Sequence, residues 1–355
     1  MMSIFNRVAR RFVLLSFIVA ACASAPAAAR ADDTLTLITG ASPTAFGELL
    51  NNVATRAGFY KEEHLNVVPQ YAGSPNIGAQ LVASGKGDVC SIAIEPLLLG
   101  YQKGLKLITF YQRDPNYLFA LGVLKDSPVR TLADFKGATI GEYSVGSPAE
   151  ISTNDMLLGA GLKKGDVTYI PIGNGAQAIS ALTSGKVAGA AFPFVEMATY
   201  ETVAPIKFRY FWNSLLKNVG NTAYATSPET LVAKADLFKR FARANTKAAI
   251  LIRENPAVAA RYFLEGAGIK VTPDAIAHEV QLLSLTQDQL AGVDATSPRI
   301  GYTPPVGLAF YEKFLVQSGY MTDAPPISAV LTNQFIAYAN DFDHKAFIAQ
   351  VKKMH

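Results

Sequence analysis

From Leu35 onwards the chain alternates short apolar runs with longer stretches whose apolar positions return every three or four residues. "LTLIT" precedes "AFGELLNNVATRAG", and "LNVVPQY" precedes "NIGAQLVASG". "DVCSIAI" then precedes "PLLLGYQKG", and "LKLITFYQ" follows. Short apolar runs bounded by turn residues read as strands, and the longer periodic stretches as amphipathic helices. Such an alternation predicts parallel strands joined by crossover helices, an α/β fold. After "TLADFKG" the order restarts as "ATIGEY", "PAEISTNDMLLGAG", "VTYIPIG", "AQAISALTSG", "VAGAAF" and "EMATYETV". Two α/β lobes of similar build are therefore expected. From about Ala235 the pattern is helical, beginning "ADLFKRFARANTKAAILIREN". These helices are expected to wrap back on the first lobe.

The restart carries its own marker, since Ser84-Gly85-Lys86 returns one hundred positions later as Ser184-Gly185-Lys186. A phosphate loop needs Ser or Thr after the lysine to hold magnesium. Gly87 and Val187 stand there instead. Each triplet reads as a helix end turning into a strand, with glycine as the left-handed C-cap and lysine near the negative end of the dipole.

Charge and cysteine usage change the picture mainly at the N-terminus. "MMSIFNRVARR" is basic, "FVLLSFIVAACA" is a short apolar core and "AAARA" supplies small residues. This is the pattern of a secretory signal with cleavage near Asp32. The apolar run is too short for the ~20 residues that span a bilayer. "VAAC" at 19–22 leaves open a lipoprotein signal with lipid on Cys22. The four arginines of residues 1–31, unaccompanied by any acid, account for the whole formal net charge of +4. The remainder is neutral, so charge gives no case for a nucleic-acid partner.

Cys90 is the only cysteine after that segment, so no internal disulfide is expected. His64, His278, His344 and His355 lack metal spacing. No metal or other cofactor is expected.

Ser42-Pro43, Ser74-Pro75 and Ser147-Pro148 stand at strand-to-helix joints, as does Glu95-Pro96. Serine at N-cap with proline at N1 starts a helix, and Glu150 three residues after Ser147 completes a capping box. Such joints also gather at the carboxyl edge of an α/β sheet, where ligands bind. Glu95 follows the apolar "CSIAI" and would sit at a strand's mouth. It could receive a ligand N–H or only cap its own helix. Phe192, Phe194 and Glu196 hold the matching place in the second lobe, as core or as cleft wall. No nucleophile elbow, His–Asp–Ser set or paired catalytic carboxylates are evident.

"GFYKEEHLNVV", "LVASGKGDV", "YQKGLKLI", "TLADFKGATIG" and "ALTSGKVAGAAF", in this order, resemble periplasmic substrate-binding proteins of ABC importers. The similar branch is that of nitrate, sulfonate, taurine and thiamine-pyrimidine-precursor binders. The resemblance implies two α/β lobes closing on a ligand, with crossovers near Leu124–Ser127 and Val219–Thr226. It divides the chain into a signal peptide (1–31), lobe I (32–124 and 221–355) and lobe II (125–220). It implies ligand contacts at Ser42, Pro43, Thr44, Gly73, Ser74, Ile94, Glu95, Gly146, Ser147, Phe192, Phe194 and Tyr224. Pro193, Phe194 and Val195 stand where relatives often carry Trp-Glu-Pro, and the cysteine-rich iron motif of pyrimidine-synthesising relatives is absent.

The expectation is a monomeric, non-enzymatic, periplasmic receptor that passes a small molecule to an ABC permease. The ligand is expected to be aromatic or heteroaromatic, with a carboxylate or sulfonate as an option, from the Phe and Tyr content near the cleft, the helix N-termini and the lack of an evident arginine clamp; a dedicated nitrate or sulfonate site is the alternative. A lyase-type enzyme using Glu95, Glu150 or Glu196, or a sensor for a membrane receptor, are the alternatives.

Overall fold

The computed structural model describes residues 32–355 apart from 41, 143–146, 164, 215, 217–218 and 291–295. Gly146 and the signal segment therefore lie outside the described residues.

Two five-stranded sheets form the frame. The first runs β2-β1-β3-β10-β4, from Asp33–Thr39 (β1), Leu65–Tyr71 (β2), Val89–Ala93 (β3), Ile108–Gln112 (β4) and Thr222–Thr226 (β10). The second runs β7-β6-β8-β5-β9, from Phe119–Leu124 (β5), Thr139–Glu142 (β6), Thr168–Pro171 (β7), Gly189–Pro193 (β8) and Phe208–Trp212 (β9). In each sheet three strands are parallel, and the next is an antiparallel strand arriving from the other lobe. β10 pairs antiparallel with β3 and β4. β5 pairs antiparallel with β8 and β9.

β5 corrects the expected boundary. "FALGVL" is apolar and continues the pattern of β4, so it reads as first-lobe chain, yet both strands it pairs with belong to the second sheet. The chain changes sheets over 113–118, ahead of β5 and earlier than Leu124–Ser127. It returns between Trp212, the last residue of β9, and Thr222, the first of β10.

The helices follow the apolar periodicity. They are α1 (Leu49–Arg56), α2 (Pro75–Ala83), α3 (Ile94–Gln102), α4 (Pro148–Gly159), α5 (Ala176–Thr183) and α6 (Phe194–Val203). The C-terminal part gives α7 (Ala235–Glu254), α8 (Pro256–Gly266), α9 (Pro273–Leu290) and α10 (Pro305–Gln317). α7 and α8 pack on α1 over the first sheet, as expected, while α9 lies against both α8 and α6 of the second lobe.

Both Ser-Gly-Lys triplets end a helix. Gly85 (φ +76°) follows α2 and Gly185 (φ +71°) follows α5, and both lysines are exposed. Left-handed backbone of this kind is where glycine avoids a Cβ clash.

Candidate functional site

Parallel strands bring their carboxyl ends to one edge, and the two sheets present these edges to each other. A cavity of about 920 Å³ lies between them. The first lobe contributes Thr39 closing β1, Asn76 in the first turn of α2, Ser91 on β3 and Glu95 opening α3. The second contributes Ser147 and Pro148 opening α4, and Pro193 closing β8. Phe119 and Thr222 line the wall where the chain changes sheets. The volume suits a small organic molecule.

Glu95 is fixed there because β3 passes into α3 without a linker, Ala93 being the last strand residue and Ile94 the first helical one. Its side chain is 1% exposed. Oε1 accepts hydrogen bonds from the Tyr117 hydroxyl at 2.8 Å and the Tyr311 hydroxyl at 2.6 Å. Oε2 is buried without a partner. Burial raises the carboxyl above its ordinary range, and the two phenols only partly counter it.

Arg113 is a cavity-lining residue that sequence reasoning missed. It opens the first crossover, and its Nη1 donates to Gly47 O and Ser91 Oγ, both at 3.0 Å. Nη2 and Nε donate to the Asp114 carboxylate, Nη2 at 2.7 Å. Burial by itself would favour a neutral guanidine, but the Asp114 charge and hydrogen bonds, together with Tyr224 and Glu48, outweigh it and hold Arg113 cationic. The signal was present as "YQRDP", a charged pair placed directly after a fully buried strand. Glu48, 2% exposed, lies on the same wall and accepts from the Thr39 hydroxyl. Burial raises its carboxyl, opposed by Thr39 and by the Arg113 charge.

The expected residues divide between wall and core. Glu95 and Ser147 line the cavity. Ser147 Oγ also caps α4 by accepting from Glu150 N at 3.2 Å, as expected. The Glu150 carboxyl lies beside Glu142 at the end of β6, and burial, then Glu150, holds Glu142 up at about 7. Ser74 caps α2 through Ile77 N, and the wall is made by the next residues, Pro75 and Asn76. Ser42, Pro43, Thr44 and Gly73 are exposed and lie off the cavity wall.

Phe192 (0% exposed) and Tyr224 (2%) point into the lobe cores, Phe192 towards Tyr200 and Tyr224 towards Phe241. Side chains alternate along a strand, so Pro193, next to Phe192, takes the cavity position. Thr222 shares a face with Tyr224 but reaches the cavity because it opens β10 at the sheet's edge, two residues nearer the cleft. Phe194 packs between Tyr210 and Trp212, and Ile94 lies in the apolar core. Glu196 is raised by burial and held by Tyr200, away from the wall.

Among the described residues no cluster of His, Cys, Asp and Glu could hold a metal ion. Cys90 is buried, and burial pushes its thiol up to about 12, so it is inert. No helix of the described residues is long and apolar enough to cross a membrane.

Two α/β lobes joined by paired crossovers, with a cavity between their strand ends, define the periplasmic-binding-protein fold. Residues 51–259, more than half of the chain, match the family described as NMT1/THI5 like, and the chain belongs to it. A Haemophilus influenzae protein named "Putative thiamine biosynthesis protein" is 32% identical over 123 residues. That stretch covers 34% of this chain and only 38% of the relative. A solved Bordetella bronchiseptica structure shares 24% identity, with TM-score 0.67, over 87% of this chain and 97% of that one. The periplasmic aliphatic sulphonate binding protein SsuA of Escherichia coli shares 16% identity with TM-score 0.59. That match covers 83% of this chain and 91% of SsuA. These two likenesses establish the fold.

Proposed function

We propose that the protein is an exported receptor that captures a small organic solute between its lobes and delivers it to an ABC permease. The observation that carries this reading is the cavity itself. It is large enough for a single-ring or two-ring molecule, it is bounded by strand ends and helix starts of both lobes, and it holds one buried carboxyl with a free oxygen.

The preferred solute is an aromatic or heteroaromatic ring carrying an oxygen acceptor group such as a carboxylate or sulfonate. Phe119, Pro148 and Pro193 give apolar contact for a ring. The first turns of α2 and α4 offer backbone N–H groups to the acceptor. Glu95, its carboxyl raised by burial, stands at the cavity wall with Oε2 unpartnered. Arg113 contributes a guanidinium already neutralised by Asp114, so it orients the solute more than it attracts a bare anion. The sulfonate-binding fold relative supports this class by architecture alone.

A lyase-type reading needs an acid–base pair at the solute. Glu95 has two phenols for neighbours, Glu196 is off the wall, and Glu150, although beside Glu142, is with that partner also off the wall.

The test is a thermal-shift screen of the purified protein against ring carboxylates, ring sulfonates and aminopyrimidines. A solute at a hundred times its dissociation constant adds about 2.7 kcal/mol, which a melting curve resolves. Glu95→Gln is expected to weaken the hit about tenfold, the equivalent of ~1.4 kcal/mol. Conversion of the hit to a product would overturn the receptor reading, and failure of every solute class would overturn the binding reading.

A further inference from the structure

Tyr117 lies in the crossover between β4 and β5, 5% exposed, with its ring edge-on to Phe119 at 5.3 Å. Its hydroxyl is within hydrogen-bond distance of two acceptors on opposite lobes. One is Glu95 Oε1 on α3 at 2.8 Å, and the other is the Pro148 carbonyl on α4 at 3.1 Å. A phenol has a single proton to donate. Tyr311 on α10 also donates to Glu95 Oε1. The demand of Glu95 therefore decides where the Tyr117 proton goes. An ionised Glu95 is the stronger acceptor and takes both phenols, because hydrogen bonds to charged groups are about twice as strong as neutral ones. A protonated Glu95 can carry its proton on Oε2, which has no partner, and its Oε1 becomes an ordinary carbonyl acceptor. The Tyr117 proton is then available to Pro148.

We propose that the Tyr117 hydroxyl is a one-proton switch between the lobes, donating to the Pro148 carbonyl when Glu95 is protonated and to Glu95 when it is not. Resting on the receptor reading above, a solute whose acceptor group calls for a proton on Oε2 draws the lobes together by this route, while a solute that donates to Oε2 does not. The titratable groups that face Glu95 are Tyr117 from the crossover and Tyr311 from α10. Both phenols are pushed well above their ordinary range, by burial first and by the Glu95 charge second, so neither loses its proton in the working range. Besides burial, Glu95 is influenced by those phenols and its own backbone N–H. Glu95 is thus the titrating member, and Tyr117 is a positioning residue that converts its charge into lobe contact.

The test needs no solute. Small-angle X-ray scattering of the solute-free protein between pH 4 and 9 should show a smaller radius of gyration at the acid end, where the lobes are bridged. Glu95→Gln should lose this shift and stay at the compact value, since its side chain is never ionised. Tyr117→Phe keeps the ring but has no proton to donate, and should lose the shift at the expanded value. Tyr311→Phe, which leaves the bridge intact, should keep the shift. Melting curves on each variant confirm that it is folded, and a merely structural Tyr117 would lower the melting temperature while leaving the pH shift in place. That result, or a shift surviving in Glu95→Gln, or a pH-independent wild type, would overturn the switch. Because no solute is added, a failed ligand screen and a failed switch are separate outcomes.

Discussion

Arg113 and Asp114 are adjacent in sequence and form an ion pair whose side chains are 14% and 5% exposed. Removing one partner of such a pair leaves the other charge buried and uncompensated, which costs about 3–5 kcal/mol. Arg113→Met is expected to lower the unfolding free energy in urea by that order. The double variant Arg113→Met, Asp114→Leu should recover most of it, and a single-variant loss under 1 kcal/mol would show the pair to be well solvated. Glu142 makes the opposite case, a carboxyl raised to about 7 by burial and by Glu150. A raised acid binds its proton more tightly folded than unfolded. Its contribution is complete below the unfolded value near 4.5 and is lost as pH rises to about 7. Glu142→Gln should therefore raise the melting temperature at pH 8 and leave it nearly unchanged at pH 4. An equal effect at both pH values would refute the shift. Among the carboxyls near the cleft, Glu95 stood out in the sequence as a polar residue between an apolar run and a proline, and Glu150 as the acid three residues after Ser147 in a capping-box pattern. Glu142 closes an apolar strand like many surface residues do, and its neighbour Glu150 becomes a neighbour only through the fold.

At the scale of elements, the two Ser-Gly-Lys turns test whether the repeated triplet is structural. A Cβ at Gly85 or Gly185 would meet nothing within 4 Å, so the whole cost of alanine there is its left-handed backbone. Gly85→Ala and Gly185→Ala should each destabilise by about 1–2 kcal/mol in urea and leave solute affinity unchanged. A change in affinity would mean that the turns touch the solute. The alternation of strands and helices was legible because apolar period and Gly/Pro punctuation agree along Leu35–Val203. Two placements were not. β5 looks like its predecessor in sequence, and only its pairing assigns it to the second sheet. Phe192 and Tyr224 sit on strands whose ends reach the cavity, but Phe192 faces inward where its neighbour Pro193 faces the wall, and Tyr224 lies two residues deeper along β10 than Thr222, which opens the strand at the cavity.

For the whole molecule, the balance between open and closed lobes is set by what becomes exposed when they part. Ile151 on α4 of the second lobe is 2% exposed and belongs to one apolar cluster with Leu97 and Tyr311 of the first. It also lines the cavity. Burying a side chain of this size contributes about 1.5–3 kcal/mol, and opening the cleft forfeits part of it. Ile151→Ala should therefore shift the solute-free protein towards the open state by a kcal/mol or so, seen as a larger radius of gyration in scattering. Each ~1.4 kcal/mol lost to closure lowers solute affinity about tenfold, since only the closed fraction binds fully. The effect should be the same at pH 4 and pH 9, because no proton is involved, which separates it from the Tyr117 switch. Loss of stability with unchanged scattering would instead place Ile151 wholly within a lobe core, and the closing force would then have to come from the polar bridge alone.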